Sequence, residues 1–146
     1  MIQMTEAQTA QEISTLLRQI TLKERALVND QLRQTNEVTD QQAMVLQLIG
    51  AHPGMIQREL VDVMHRRAAT VSAFLKKLEE AGLVERHIPV DNTRNKMLYL
   101  TADGQSIVDQ FQAVQQMVDQ RLTQGLTSEQ RETLLTLLGD VKRGLD

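Results

Sequence analysis

Apolar positions along the chain recur mostly at helical spacing, in six blocks separated by turn residues. In the first block, 5–36, Ile13, Leu16, Leu17, Ile20, Leu27, Val28 and Leu32 repeat every three or four residues, the mark of an amphipathic helix. Thr9-x-x-Glu12 has the form of a capping box near its start. A second helix is predicted over 39–52, capped by Thr39-x-x-Gln42, facing inward through Val45, Leu46, Leu48 and Ile49, and stopped by His52-Pro53-Gly54. A short helix follows over 57–64, with Leu60, Val61 and Met64 apolar, and then a tight corner at His65-Arg66-Arg67. The next helix, 68–81, carries Val71, Phe74, Leu75 and Leu78 at i, i+3, i+4 and i+7.

After Gly82 the period changes. Leu83-Val84 and Met97-Leu98-Tyr99-Leu100 are strand-like runs, separated by Pro89 and a polar tip, Asp91-Asn92-Thr93-Arg94-Asn95. A hairpin this short is not stable alone, so it must lean on the helices. A fifth helix is predicted over 102–123 through Ile107, Val108, Phe111, Val114, Val118 and Leu122, ending at Gly125. Thr127-x-x-Gln130 then caps a last helix with Leu134, Leu135, Leu137, Leu138 and Val141 on it. Helix, corner, helix, two-stranded ribbon is the plan of a winged helix-turn-helix. The fold class expected is therefore mainly α: a winged helix-turn-helix with a two-stranded β wing, flanked by long N- and C-terminal helices. The apolar stripes of those flanking helices exceed what the winged unit can cover. They call for a second long helix or for a second subunit, the latter through an interface resembling a domain core cut in half.

The helix over 68–81 has a second face. With about 100° between residues, Ala69, Ala73, Lys76 and Lys77 lie opposite the apolar stripe, flanked by Thr70 and Ser72. Small residues permit close approach to a groove wall, while hydroxyl and ammonium groups reach bases and phosphates. From Val63 to Leu78 there are four basic residues, Arg66, Arg67, Lys76 and Lys77, and no acidic ones. Arg86, Arg94 and Lys96 sit on or near the ribbon, where a projecting Arg suits a minor groove or a phosphate row. A solvated basic face and a plain exposed hairpin are the bland readings of each feature taken alone. Their combination favours DNA.

Three stretches resemble the MarR family of winged-helix transcription regulators. They are Ala69-Thr70-Val71-Ser72 through Leu78-Glu79-Glu80-Ala81-Gly82-Leu83-Val84; Asn92-Thr93-Arg94; and Leu98-Tyr99-Leu100-Thr101-Ala102-Asp103-Gly104. The order and spacing fit, with Arg94 seven residues ahead of Thr101. The resemblance implies one domain over 1–146, with a DNA-binding lobe at about 39–101 and dimerisation helices at about 5–36 and 102–146. It implies a homodimeric, sequence-specific repressor on a palindromic operator, released by a small-molecule effector of unspecified identity. The second helix of the motif would occupy the major groove, and Arg94 the adjacent minor groove. The DNA-binding residues expected are Arg66, Arg67, Ala69, Thr70, Ser72, Ala73, Lys76, Lys77, Arg86, Asn92, Arg94 and Lys96. Relative to the family's pattern, Asn92 stands where Asp is usual, and Ile56 stands where Ser or Thr opens the first short helix. The alternative is a winged-helix protein-interaction module that uses the same surfaces without DNA.

Composition narrows the remaining classes. At 146 residues the chain is long enough for a real core. Apolar residues make up 41% and aromatic residues only 2%, so the core is built from aliphatic side chains. The absence of cysteine excludes disulfides, thiol redox sensing and Cys-ligated metals. No apolar run approaches the ~20 residues of a membrane span, and the first residues lack the pattern of a signal peptide; a cytoplasmic location is expected. The net charge of −3 is unevenly spread. Between Met55 and Lys96 eight basic residues face six acidic ones, against eight and thirteen elsewhere. Positive charge thus gathers where the fold would meet DNA.

Candidate chemistry is sparse. His52, His65 and His87 sit on separate elements, so no metal site is expected, and His65 is read as touching backbone or phosphate. There is no glycine-rich phosphate loop or nucleophile elbow. Glu79 and Glu80, neighbours on a helix, do not face each other and are read as solvated. No enzyme activity and no cofactor are expected. Met44, Met55 and Met64 could line an adaptable apolar cleft, although plain core packing is the simpler reading.

Overall fold

The computed structural model describes residues 3–35, 37–91 and 95–146. Among these, the elements run α1 (Glu6–Thr35), α2 (Asp40–Ala51), β1 (Met55–Ile56), α3 (Gln57–Met64), α4 (Ala68–Glu80), β2 (Val84–His87), β3 (Met97–Leu100), α5 (Ala102–Thr123) and α6 (Ser128–Arg143). The helical blocks expected from the apolar spacing are all present.

Their ends are set by local chemistry. At α2, the Thr39 hydroxyl accepts from the Gln42 amide at 3.2 Å, and the Gln42 side chain accepts from the Thr39 amide at 3.0 Å. Thr127 and Gln130 repeat this at α6. At α1 the expected box is displaced by one turn. Thr5 and Gln8 form the reciprocal pair, and the Thr9 hydroxyl instead donates to the Thr5 carbonyl within the helix. Thr5-x-x-Gln8 offers the same two bonds as Thr9-x-x-Glu12, and using it adds a further turn of hydrogen-bonded backbone.

The wing is part of a three-stranded antiparallel sheet, order β1-β3-β2, not a two-stranded one. Gly54, at φ +84°, turns the chain and donates to the Leu98 carbonyl at 2.9 Å. Met55 and Ile56 then pair with Leu98 and Met97. On the other side, β2 extends beyond the expected Leu83-Val84 and pairs Val84 with Leu100 through His87 with Met97.

One core joins these elements. Leu32 of α1, Leu46 and Ile49 of α2, Leu60 of α3, Val71 and Leu75 of α4, Leu98 of β3 and Phe111 of α5 are buried in a single cluster. Outside it, α6 has no buried residue. Leu134, Leu135, Leu137, Leu138 and Val141 are all exposed, as are Ile13, Leu16, Leu17 and Ile20 of α1. No helix among the described residues is long and apolar enough to cross a membrane.

Candidate nucleic-acid interface

The corner between α3 and α4 is closed by His65, whose backbone is left-handed at φ 51°, ψ 37°. Non-glycine residues reach this region at a cost, and His is among those that tolerate it best. The α3 end opposite the corner has Ile56 at its N-cap, with no side-chain acceptor. The Glu59 carboxylate accepts the Ile56 amide at 3.0 Å, so half of a capping box survives.

Val71, Leu75 and Leu78 anchor α4 in the core, and Phe74 is packed against it, partly exposed. The opposite face is open: Ala69, Thr70, Ala73, Lys76 and Lys77 are exposed and Ser72 is half-buried at the flank. Arg66 and Arg67 are exposed at the corner, and Lys96 just ahead of β3. Arg66, Arg67, Lys76 and Lys77 take part in no ion pair among the described residues. Arg67 occupies the N-cap of α4, and its guanidinium, which cannot accept, makes no capping hydrogen bond to the first-turn amides. Free amides and the helix dipole both favour an anion at such an end. The result is one surface of small, hydroxylated and cationic side chains.

The C-terminal end of α4 aims the wing. The Gly82 amide donates to Glu79 and the Leu83 amide to Leu78, each at 2.9 Å. This is a Schellman ending, with Gly82 at φ +73° as the left-handed residue and apolar Leu83 buried in the same core as Leu78. The Thr101 hydroxyl then donates to the Gly82 carbonyl at 2.6 Å and accepts from the Gly104 amide at 3.0 Å. A single threonine thus ties the α4–β2 turn to the start of α5.

Not every expected contact residue stands free. Arg86 does not face outward: its guanidinium forms an ion pair with Glu79 and donates to Gln57 Oε1 at 3.0 Å. Glu79, expected in solvent, is half-buried for the same reason, whereas Glu80 is exposed. Strand alternation could have revealed this. In β2, Val84 and Arg86 turn inward while Glu85 and His87 turn out, and period two places Arg86 with Val84. Asn92 and Arg94 lie outside the described residues.

Two cavities flank α2. One, of about 190 Å³, lies between α1, α2 and α5; it contains the Arg25–Asp40 ion pair at 3.2 Å, with Val28, Met44 and Phe111 among its walls. The other, of about 280 Å³, lies between α2, α3 and α4, against Met44, Leu48, Met64, Arg66, Thr70 and Phe74. Of the three methionines considered for a cleft, Met55 is in the core, and Met44 and Met64 line the second cavity. Among the described residues no group of three His, Cys, Asp or Glu side chains could hold a metal ion.

Comparison with known proteins agrees with this geometry. The sequence model of the MarR family matches residues 38–96. The transcriptional regulator HosA of Escherichia coli O111:H- is 30% identical over 103 residues, which span 70% of this chain and 76% of that regulator. MepR, a transcription regulator of the Staphylococcus aureus multidrug efflux pump MepA, is similar in structure at a TM-score of 0.80 and 27% identity, over 91% of this chain and 98% of that one. A mutant of S. aureus MepR bound to an oligodeoxyribonucleotide is similar at 0.67 and 27%, over 92% and 98%. On the winged helix-turn-helix, the cationic α4 face and these likenesses, the chain belongs to the MarR family of transcriptional regulators.

Proposed function

We propose that this regulator binds double-stranded DNA as a homodimer and represses transcription by occupying a palindromic operator. The observation that carries the reading is the outward face of α4 with its corner: Arg66, Arg67, Lys76 and Lys77 exposed around Ala69, Thr70 and Ala73. From Val63 to Leu78 there is no acidic side chain. In this reading α4 enters the major groove, its small residues allow close approach, and the cations meet phosphates. Arg94 enters the adjacent minor groove, and Asn92 and Lys96 meet the backbone beside it.

Dimerisation is supported by α6. A helix that buries nothing in its own chain yet carries Leu134, Leu135, Leu137, Leu138 and Val141 needs another apolar surface. The exposed stripe of α1 offers one on a second copy. Two-fold pairing would set the reading helices about one DNA turn apart, near 10 base pairs. A small molecule seated in the cavity between α1, α2 and α5 would bear on the spacing between the winged lobe and the long helices. It acts only through unequal affinity for two spacings.

The test is selection of bound duplexes from a random pool, followed by titration across salt. The expected outcome is an imperfect palindrome with half-sites about 10 base pairs apart and an affinity that falls steeply with salt. Failure to bind duplex at low salt would overturn the proposal and favour the protein-interaction module.

A further inference from the structure

We propose that Arg86 is a positioning residue: with Glu79 and Gln57 it clamps the wing to both helices of the helix-turn-helix and holds them at the angle that DNA recognition requires. The proposal rests on the DNA-binding reading above for its consequence, but not for its geometry.

Arg86 lies in β2 opposite Leu98 of the central strand, and Leu98 also pairs with Met55. Its side chain is only 16% exposed. One guanidinium reaches two elements at once. Nε meets the carboxylate of Glu79, in the last turn of α4, and Nη1 donates to the side chain of Gln57, the first residue of α3. The Nε atom and the Glu79 oxygen are both sealed from solvent; they meet as an ion pair, and neither has a hydrogen-bond partner among the described residues. A planar guanidinium suits this task, because its donors stand in a rigid fork; a lysine ammonium could not hold both directions together. An ion pair on the open surface would contribute little. Here the two contacting atoms are shut off from water while the Glu79 side chain stays 31% exposed, so the charge left stranded by losing a partner is chiefly that of Arg86.

The three anchored elements frame the proposed DNA face. α3 supports α4 from behind, α4 carries Lys76 and Lys77, and β2 leads out to the wing. Without the clamp, β2 is tied to α4 through the Gly82–Leu83 turn and the burial of Val84, and the sheet is held to the core through Leu98. The wing could then swing about that turn, and the spacing between wing and α4 would no longer be fixed in advance of binding. Preorganisation of this kind raises affinity without adding a contact.

A direct phosphate contact and a clamp predict opposite results. Arg86→Gln, Glu79→Gln, the double variant and the charge-swapped pair Glu79→Arg with Arg86→Glu are titrated against the selected duplex across salt. The clamp requires each single variant to weaken binding by about tenfold, within the range shown by coupled neighbours. The salt slope stays as in the parent, the double variant loses no more than a single one, and the swap recovers affinity. A phosphate contact instead lowers the slope by about one in Arg86→Gln, and Glu79→Gln tightens binding by releasing a cation; that pattern overturns the proposal. Amide exchange is followed in parallel. The clamp expects faster exchange across Val84–His87 and Met97–Leu100, with α2 and α5 unchanged. Unchanged exchange there also overturns it, whether or not the protein binds DNA. If Arg86→Gln fails to fold, Glu79→Gln and Arg86→Lys carry both measurements. A parent protein that ignores duplex, with local exchange altered as described, would sink the DNA-binding reading and leave the clamp standing.

Discussion

Substituting Gly104 by alanine tests the joint between the winged lobe and α5. Gly104 is the third residue of α5, where helix propensity alone favours alanine by up to about 1 kcal/mol. The structure reverses that sign. A Cβ built on Gly104 would sit 2.1 Å from the Leu83 carbonyl oxygen and 3.1 Å from its carbon. The obstacle is backbone, so no rotamer change relieves it. Overpacking of this kind costs about 1–3 kcal/mol. Moving Leu83 would also disturb the bond from the Thr101 amide to its carbonyl, at 3.2 Å, and strain the Thr101 hydroxyl bond to Gly82. Each such bond contributes about 1 kcal/mol. The net expectation for Gly104→Ala is a loss of about 2–3 kcal/mol, or about 5–10 °C in Tm for a chain of this size. Urea and thermal unfolding should be compared at one protein concentration, because association makes Tm concentration-dependent. An alanine variant as stable as the parent, or more so, would mean that α5 and the α4–β2 turn do not meet this closely.

The DNA face, the second subunit and the corner can each be perturbed separately. Lys76→Ala, Lys77→Ala and Arg66→Ala should each weaken duplex binding and reduce the slope of log affinity against log salt by about one; unaltered slopes would remove those residues from the phosphate contacts. Leu134→Glu combined with Leu138→Glu, one helical turn apart on α6, should leave a folded monomer in sedimentation equilibrium. A persistent dimer would place the interface elsewhere. His65→Gly should raise stability by about 0.5–1 kcal/mol, the relief of a left-handed side chain less the added freedom of the unfolded chain. A lower urea midpoint would show that the imidazole makes a contact outweighing its backbone.

How much could be read in advance depends on how far apart the interacting groups lie along the chain. The α2 and α6 caps were legible because Thr39 with Gln42, and Thr127 with Gln130, interact within one turn. The stripe of Val71, Leu75 and Leu78 was legible because burial of one face imposes the helical period. The capping pair of α1 was not, since Thr5-x-x-Gln8 and Thr9-x-x-Glu12 carry the same signal and only one can be the end. β1 escaped because two residues show no period, and its strand character comes from Leu98 and Met97, some forty residues on. β2 was cut short because Glu85 and His87 look like loop residues until their alternation with Val84 and Arg86 is noticed.

The candidate interface divides along the same line. Residues of the α4 face could be placed from helix geometry alone, because a helix settles which side chains share a face before anything packs against it. That holds for Ala69, Thr70, Ala73, Lys76 and Lys77, all exposed as expected. A cation on a strand is different. Whether Arg86 points to solvent or inward depends on which face the sheet buries, and that is decided by α3 and α4. Its partners come from 29 residues upstream, at Gln57, and from the preceding helix, at Glu79. Counting basic residues therefore overstates the cations free to meet DNA. It also hides the use of one of them inside the protein. In a chain whose net charge is −3, an arginine placed where water is excluded marks a geometric demand rather than an electrostatic surplus. Removing Arg86 should consequently change the angle of the wing before it changes the field at the DNA face.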